Sequence, residues 1–540
     1  MEKPMVSFVL ISLAILMCTF PVRAISIGFS ERGIIVEQWR HQFEWTPPNR
    51  MTFGCSAAIE NLPDVNRMGT DPDTDLEIVT GSDELEGPGP GYWHAFDSQG
   101  NLEWIVGTQS DQSRSSPVII DLNGDGKPEI AGGTTSGHTV EVMDRFGNWF
   151  WTFPTPPGPG GNEWLSSPAV ADIVTESPDV AGPEVVILHR TTGMVFCFDG
   201  DNSDHHNNGI TVTGWAGTEG IDWDVLWATY IGGDGSGNEI SSPAIGDVDH
   251  DGKLEVMIGS ADGNVYVLRS SDGAIEHVFT TGSSEFPASV ALADLDGDGY
   301  IDIVVGSTDG NIYCLKWDGI IGTTRWKFST GGAIYSSAAI GDLDADGRLE
   351  IVVGSNDGNV YCLSVHGNEI WSYHTDGPVF SSPALIDRAD IGLYEKDWPM
   401  FRHDPMRTGY YGPAPSTGLD VYVGSDDHYL YLLKGDGGHL VDRFLTYGCI
   451  RSSPSVADID GDEEPEIVFY DWGYDSGAGG DTFWCIEDNL LVPPPPSPPV
   501  GGVWIPINGL NLLDPRITLG LTMIIAITFV GIRRIKKRQD

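Results

Sequence analysis

Asp294-Leu295-Asp296-Gly297-Asp298-Gly299-Tyr300-Ile301-Asp302 runs directly into Ile303-Val304-Val305-Gly306-Ser307. The first stretch sets carboxylates at alternate positions of a glycine-rich turn, and the second is a short apolar run of the kind that fills a buried strand. What decides the fold is recurrence. Variants of the pair follow Ser-Ser-Pro-Ala-like starts at Ser56, Ser115, Ser166, Ser241, Ala288, Ser336, Ser381 and Ser452.

Each unit reads as four short strands separated by turns. In the first unit these are Ser56 to Ile59, Leu76 to Ser82, Tyr92 to Phe96 and Asn101 to Trp104. The tightest spacings are 45 to 48 residues, and the longer ones carry insertions at Asp201 to Gly220 and Asp390 to Gly418. Four strands at this period is the arithmetic of a β-propeller blade. The expected fold is therefore all-β: an eight-bladed β-propeller, with seven blades as the fallback.

The last unit supplies a closure test. Its strands near Ser453 to Ile459, Glu466 to Tyr470 and Thr482 to Glu487 break into Leu491-Val492-Pro493-Pro494-Pro495-Pro496 with no fourth strand. The leftover N-terminal run Val36 to Trp45 has a Trp-containing pattern like Glu369 to Tyr373 and fills that place. A ring sealed in this way leaves no open sheet edge.

Composition agrees. With 540 residues, 40% apolar, Gly 69 and Pro 35, the chain can bury a core and must turn often. A formal net charge of -49 argues against nucleic acid as a partner of the main domain.

Both ends read as membrane signals. Lys3, the apolar run Val6 to Phe20 and Val22-Arg23-Ala24 give a signal peptide over 1–24, a retained anchor being the alternative. The propeller is placed at 25–490 and a Pro-rich polyproline spacer at 491–514. An apolar transmembrane helix over 515–532 precedes the basic tail 533–540, which holds Arg533, Arg534, Lys536, Lys537 and Arg538. The positive-inside rule puts that tail in the cytoplasm and the propeller outside, at the cell surface.

The carboxylate loops carry the chemistry. A hard cation such as calcium takes six to eight oxygens, and alternating Asp residues in a tight turn aim several carboxylates at one point. Five loops fit, giving an expectation of about five calcium sites. They are Asp121/Asn123/Asp125/Glu129, Asp247/Asp249/Asp251/Glu255, Asp294/Asp296/Asp298/Asp302, Asp342/Asp344/Asp346/Glu350 and Asp458/Asp460/Asp462/Glu466. The carbonyls of Lys127, Lys253, Tyr300, Arg348 and Glu464 would add an oxygen to each. The bland alternative is a solvated acidic turn, against which stands the mutual repulsion of unfilled carboxylates. Asp71, Asp73, Asp75 and Glu77 keep altered spacing, the unit from Ser166 keeps only Asp172 and Glu184, and a further unit has lost the pattern.

At these loops the chain resembles the FG-GAP, or VCBS-type, repeat family, with its Asp-x-Asp-x-Asp-Gly-x-x-Asp/Glu pattern. Gly263 to Leu268, Gly310 to Leu315 and Gly358 to Leu363, the last followed by Trp371, are also similar to pyrroloquinoline-quinone-type propeller repeats. These resemblances imply an extracytoplasmic propeller serving adhesion, ligand binding or scaffolding, with some enzymes among relatives. No adjacent cysteine pair exists to support the quinone, so no quinone is expected.

Of the cysteines, Cys197, Cys314, Cys362 and Cys485 sit at one repeated strand position and read as small buried hydrophobes. Cys55 and Cys449 are brought near by ring closure, and a disulfide between them is left open. The insertion with Trp398, Arg402, His403 and Asp404 supplies candidate ligand-binding residues, suited to an extracellular carbohydrate or protein, with a packed plug as the alternative. Asp204-His205-His206 reads as exposed loop rather than a metal site. No hydrolase or nucleotide motif occurs. The leading expectation is a membrane-anchored binding, adhesion or scaffold module. The alternative is a lyase-like, polysaccharide-active enzyme using Arg402, His403 and Tyr410.

Overall fold

Eight serines close a ring. The backbone N–H of Ser56 donates to Oγ of Ser116, and the same bond runs Ser116 to Ser167, Ser167 to Ser242, Ser242 to Ser289, Ser289 to Ser337, Ser337 to Ser382, Ser382 to Ser453 and Ser453 back to Ser56. All eight lie at 2.8–3.2 Å. Every one of these serines is buried. A buried amide and hydroxyl must find partners, and a serine at the same place in every unit gives each blade one link to the next. The recurring second serine of the Ser-Ser starts is thus the axial clasp of an eight-bladed β-propeller.

The computed structural model describes residues 29–30, 35–42, 55–60, 62, 76–82, 91–108, 115–134, 139–154, 166–173, 182–189, 192–200, 225–232, 241–280, 288–386, 418–460, 462, 464–472 and 482–488. The expected signal peptide, the two insertions, the Pro-rich spacer, the apolar segment 515–532 and the basic tail lie outside these residues. Among the described residues every regular element is a strand, and no helix is long and apolar enough to cross a membrane.

Each blade is an antiparallel meander whose three-residue first strand lies innermost. Blade 1 comprises Ala58–Glu60, Glu77–Ser82, Tyr92–Phe96 and Leu102–Gly107. Blades 2, 3 and 4 start at Val118–Ile120, Ala169–Ala171 and Ala244–Gly246. Blade 5 comprises Ala291–Ala293, Asp302–Gly306, Asn311–Trp317 and Gly322–Ser329. Blades 6 and 7 start at Ala339–Gly341 and Ala384–Ile386. Blade 8 comprises Ser455–Ala457, Glu466–Asp471 and Thr482–Asp488, and its outer strand is Ile35–Gln42 from the other end of the chain. The closure expected from the sequence is therefore present. One further strand was not anticipated: Phe29–Ser30 pairs with Phe444 and Leu445 as a fifth strand of blade 7.

Second strands such as Ile303-Val304-Val305 are buried on both faces because each blade is covered by its neighbours, which is why they read as unbroken apolar runs. One core cluster joins Val186, Val256 and Leu292 from three successive blades.

Tryptophans on the outer strands tie blades together at larger radius. Each donates its indole N–H to a turn carbonyl of the next blade: Trp104 to Arg145, Trp151 to Gly200, Trp227 to Ser270, Trp326 to Val365, Trp371 to Gly435 and Trp39 to Ser98, at 2.6–3.2 Å. Trp39 comes from the closing strand, so that strand reproduces the outer-strand role in full. The receiving turn has no room for a side chain. A Cβ at Gly367 would stand 2.6 Å from Trp326, and its φ of +74 already favours glycine.

The six described cysteines are thiols rather than disulfides. Cys197, Cys314, Cys362 and Cys485 are buried on third strands as expected. Cys55 accepts the Gly81 N–H at 3.0 Å while Cys449 is bridged to Trp472, so the two are not bonded to each other.

Candidate metal centre

The acidic loops connect first and second strands, and three backbone bonds shape them. In the loop after Val118–Ile120, Asp125 N–H donates to Asp121 Oδ1, Gly126 N–H to Asp121 Oδ2 and Lys127 N–H to Asp125 Oδ1, at 2.8–3.1 Å. The same three bonds recur at Asp247, Asp294 and Asp342, and two of them at Asp458. Such bonds satisfy the turn's amides and leave the remaining carboxylate oxygens facing one another. The glycine after the third acid has φ between +80 and +89 at Gly126, Gly252, Gly299 and Gly347, which reverses the chain there.

A fourth bond locks the loop to the sheet. Glu129, Glu255, Glu350 and Glu466 each accept, through Oε2, the N–H of the loop's second residue: Leu122, Val248, Leu343 or Ile459, at 2.7–3.0 Å. Those second residues are buried. The loops also touch the following blade, since Gly418 N–H donates to Asp342 O and Leu76 N–H to Ile459 O. A cation here would bear on blade junctions.

The electrostatics are those of a crowded anion cluster. Burial first, and then the charges of neighbouring aspartates, push Glu129 up to about 7, Glu255 to about 9, Glu350 to about 7 and Glu466 to about 8. Oxygens of Asp247, Asp249 and Asp251 lie within 4.8 Å of one another, as do those of Asp342, Asp344 and Glu350, of Asp458, Asp460 and Glu466, and of Asp294, Asp296 and Asp298. Glu466 Oε1 is buried and accepts no hydrogen bond among the described residues. An all-oxygen set with an unsatisfied buried carboxylate oxygen suits a hard divalent cation.

Each of these four clusters gathers three of the four side chains expected from the sequence. Asp346 is the one outside the Asp342/Asp344/Glu350 cluster. Its work is in the turn: Asp346 Oδ1 accepts the Arg348 N–H at 2.8 Å, and its own N–H donates to Asp342 Oδ1 and Asp344 Oδ1 at 3.1 Å. Glu255 and Asp302 likewise stand outside their loops' trios, the first bonded to the Val248 N–H and the second to Arg325, and Asp462 joins a separate acid group.

The expected ligand sets are not equivalent. At Asp121 the acids do not converge: Lys127 Nζ sits 2.9 Å from Asp125, and the Asn123 amide donates to Glu129 Oε1 at 3.0 Å. At Asp294 two cationic side chains of the same blade enter the cluster: Arg325 bonds Asp296 and Asp302, and Lys316 bonds Asp298. The separate acid group, Asp462, Glu464 and Glu487, forms beside the Asp458 loop, with Gln38 of the closing strand donating to Glu487. Sequence reasoning missed Arg325, Lys316 and Glu487, which the third and outer strands bring in from outside the motif. Trp398, Arg402, His403, Asp404 and Tyr410 lie outside the described residues, as do Asp71, Asp73 and Asp75.

Fold and loops together define the class: an eight-bladed β-propeller with acidic loops between its first and second strands. More narrowly, residues 247–305 and 294–353 match the FG-GAP-like repeat, so the ring carries FG-GAP-like repeats. No curated protein matches the chain. Among solved structures it is similar to the V. cholerae biofilm matrix protein Bap1, with TM-score 0.52 and 15% identity over 84% of this chain and 91% of that one. It is also similar to Saccharomyces cerevisiae Sqt1, with TM-score 0.51 and 11% identity over 81% and 97%. At such identities the likeness is one of fold.

Proposed function

We propose that this chain is a cell-surface binding module: a propeller whose blade junctions are stiffened by calcium and whose rim or face engages an extracellular carbohydrate or protein. The observation that carries this reading is the convergence of carboxylates in loops wedged against the next blade, clearest at Asp247/Asp249/Asp251, Asp342/Asp344/Glu350 and Asp458/Asp460/Glu466. Bound calcium would offset both the burial and the neighbouring aspartate charges that raise Glu255, Glu350 and Glu466, and these loops would hold it through oxygen alone. Export by residues 1–24 and anchoring by residues 515–532 complete the reading and rest on the apolar and basic patterning of the two ends.

The test has two arms. Metal analysis after gentle desalting should find calcium, and the melting temperature should fall in chelator and recover when calcium is restored. Absence of bound calcium together with an unmoved melting temperature removes the metal role. A glycan array probed with the calcium-loaded protein then addresses the ligand, and a blank array redirects the search to protein partners.

A further inference from the structure

The loop whose sequence fits the acidic pattern best has two cationic side chains set into it. Arg325 reaches it with both terminal nitrogens, Nη1 on Asp302 and Nη2 on Asp296, while Lys316 Nζ bonds Asp298 and lies 3.9 Å from Asp296 Oδ1. Both cations are mostly shielded from water, with side-chain exposures of 20% and 16%.

The other repeats of this same chain serve as controls. Arg325 occupies the one-residue bulge of the outer strand, between Thr324 and Trp326. At that place the other blades carry Glu103, Phe150, Leu226, Glu276, Ile370, Val441 and Gln38, none of them cationic. Lys316 pairs across the sheet with Asp302. Its basic counterpart in blade 4, Arg269, is engaged by Asp272 and Glu276 instead of the loop. The loop itself has changed in step. The other four strong loops end in glutamate, which bonds the loop amide; this one ends in Asp302, a methylene shorter and fully buried, and its carboxylate takes the guanidinium.

We propose that Arg325, seconded by Lys316, is the built-in counter-cation of the Asp294 loop, so that this blade junction is held by ion pairs and takes no calcium. Calcium binds oxygen at 2.3–2.6 Å, and the Asp296 and Asp298 oxygens it would need are those the two side chains already contact. An ion there would stand within about 5 Å of both positive groups, close enough for like charges to repel. Arginine stays protonated at any working pH, so acidity does not release the lock. Asp302 Oδ1 accepts no hydrogen bond among the described residues, and the guanidinium on its partner oxygen supplies the compensating charge.

This inference rests on the reading of the other loops as calcium sites, and the experiment separates the two. Calcium bound per full-length chain is counted for the native protein, Asp249→Asn, Asp296→Asn and the double variant Arg325→Gln/Lys316→Gln. Asp249→Asn should lose one ion, Asp296→Asn should lose none, and the double variant should gain one. Loss of an ion from Asp296→Asn overturns the proposal. If Asp249→Asn loses nothing, the calcium reading of that loop fails. The double variant then decides alone, because it must still acquire an ion the native chain lacks, and an unchanged count overturns the proposal. Should the double variant not fold, Arg325→Lys replaces it: a shorter single-point cation should bind calcium weakly, and no binding at millimolar calcium, with Asp296→Asn losing an ion, counts against the assignment.

Discussion

His94 shows how a single polar residue can tie stability to pH inside an otherwise apolar sheet. It stands on the third strand of blade 1, 1% exposed, with its Nε2 2.8 Å from Ser82 Oγ and its ring stacked on Phe96. Burial, and then the nearby His41, lower its pKa to about 3. The folded chain therefore keeps His94 neutral where the unfolded chain, near 6.5, takes up a proton. Stability is fully present above the unfolded value of about 6.5 and is lost as pH falls from there toward 3, by at most about 1.4 kcal/mol per unit. Chemical denaturation of native protein and His94→Gln between about pH 7 and 5 checks this: the stability advantage of the native residue should shrink as the solution is acidified, and a constant difference would count against a neutral buried imidazole. Nothing in Tyr92-Trp93-His94-Ala95-Phe96 distinguishes His94 from a solvent-facing strand residue. Its burial comes from the neighbouring blade and closing strand, which local sequence does not contain. Arg325 was hidden for the same reason, being 29 positions from the aspartate it meets.

The outer strands do more than finish each sheet. Six of them insert a tryptophan whose indole N–H is satisfied by the next blade, while blade 4 has His277 at that register and blade 7 has Asp442. His277 stacks on Trp317 of blade 5 and so keeps an aromatic contact across the junction. The receiving turn must present bare backbone, and glycine meets that need where a ring docks closely. At Gly367 a methyl group would meet Trp326 at 2.6 Å on a backbone with φ of +74. Strain from the left-handed backbone plus overpacking gives an expected cost for Gly367→Ala of about 2–4 kcal/mol. In a Trp326→Ala background the overpacking part should vanish, leaving about 1–2 kcal/mol. A double-mutant cycle read by thermal or denaturant unfolding checks this, and strict additivity would mean that ring and turn do not press on each other. The recurring tryptophans were visible in the sequence as a pattern; their partners were not, because a carbonyl leaves no trace in a residue string.

At the scale of the whole ring, most of the architecture was legible because it is periodic. Unit count, strands per unit and the borrowed closing strand all follow from spacing and from a last unit that ends one strand short. The Ser-Ser starts were legible as strand beginnings, but their meaning as a clasp needed the axis around which they meet. The two-residue strand Phe29–Ser30 was illegible, being too short to show alternation. Closure now has a sharp consequence. Ile35–Gln42 pairs along the whole of Thr482–Asp488 and supplies Trp39, which packs on Phe96 of blade 1 and Phe483 of blade 8. A chain beginning at residue 46 would lose those contacts, the Trp39 bond to Ser98 and the fifth strand of blade 7, and would leave an apolar strand edge unpaired between first and last blades. It should melt well below the intact protein and self-associate. A synthetic peptide spanning residues 29–45, added in trans, should then restore both melting temperature and monodispersity by adding itself as a strand. Scrambling that peptide while keeping its composition should abolish rescue, because register and the placement of Trp39 carry the fit. Equal rescue by the scrambled peptide would mean that closure needs only an occupied edge and not this strand.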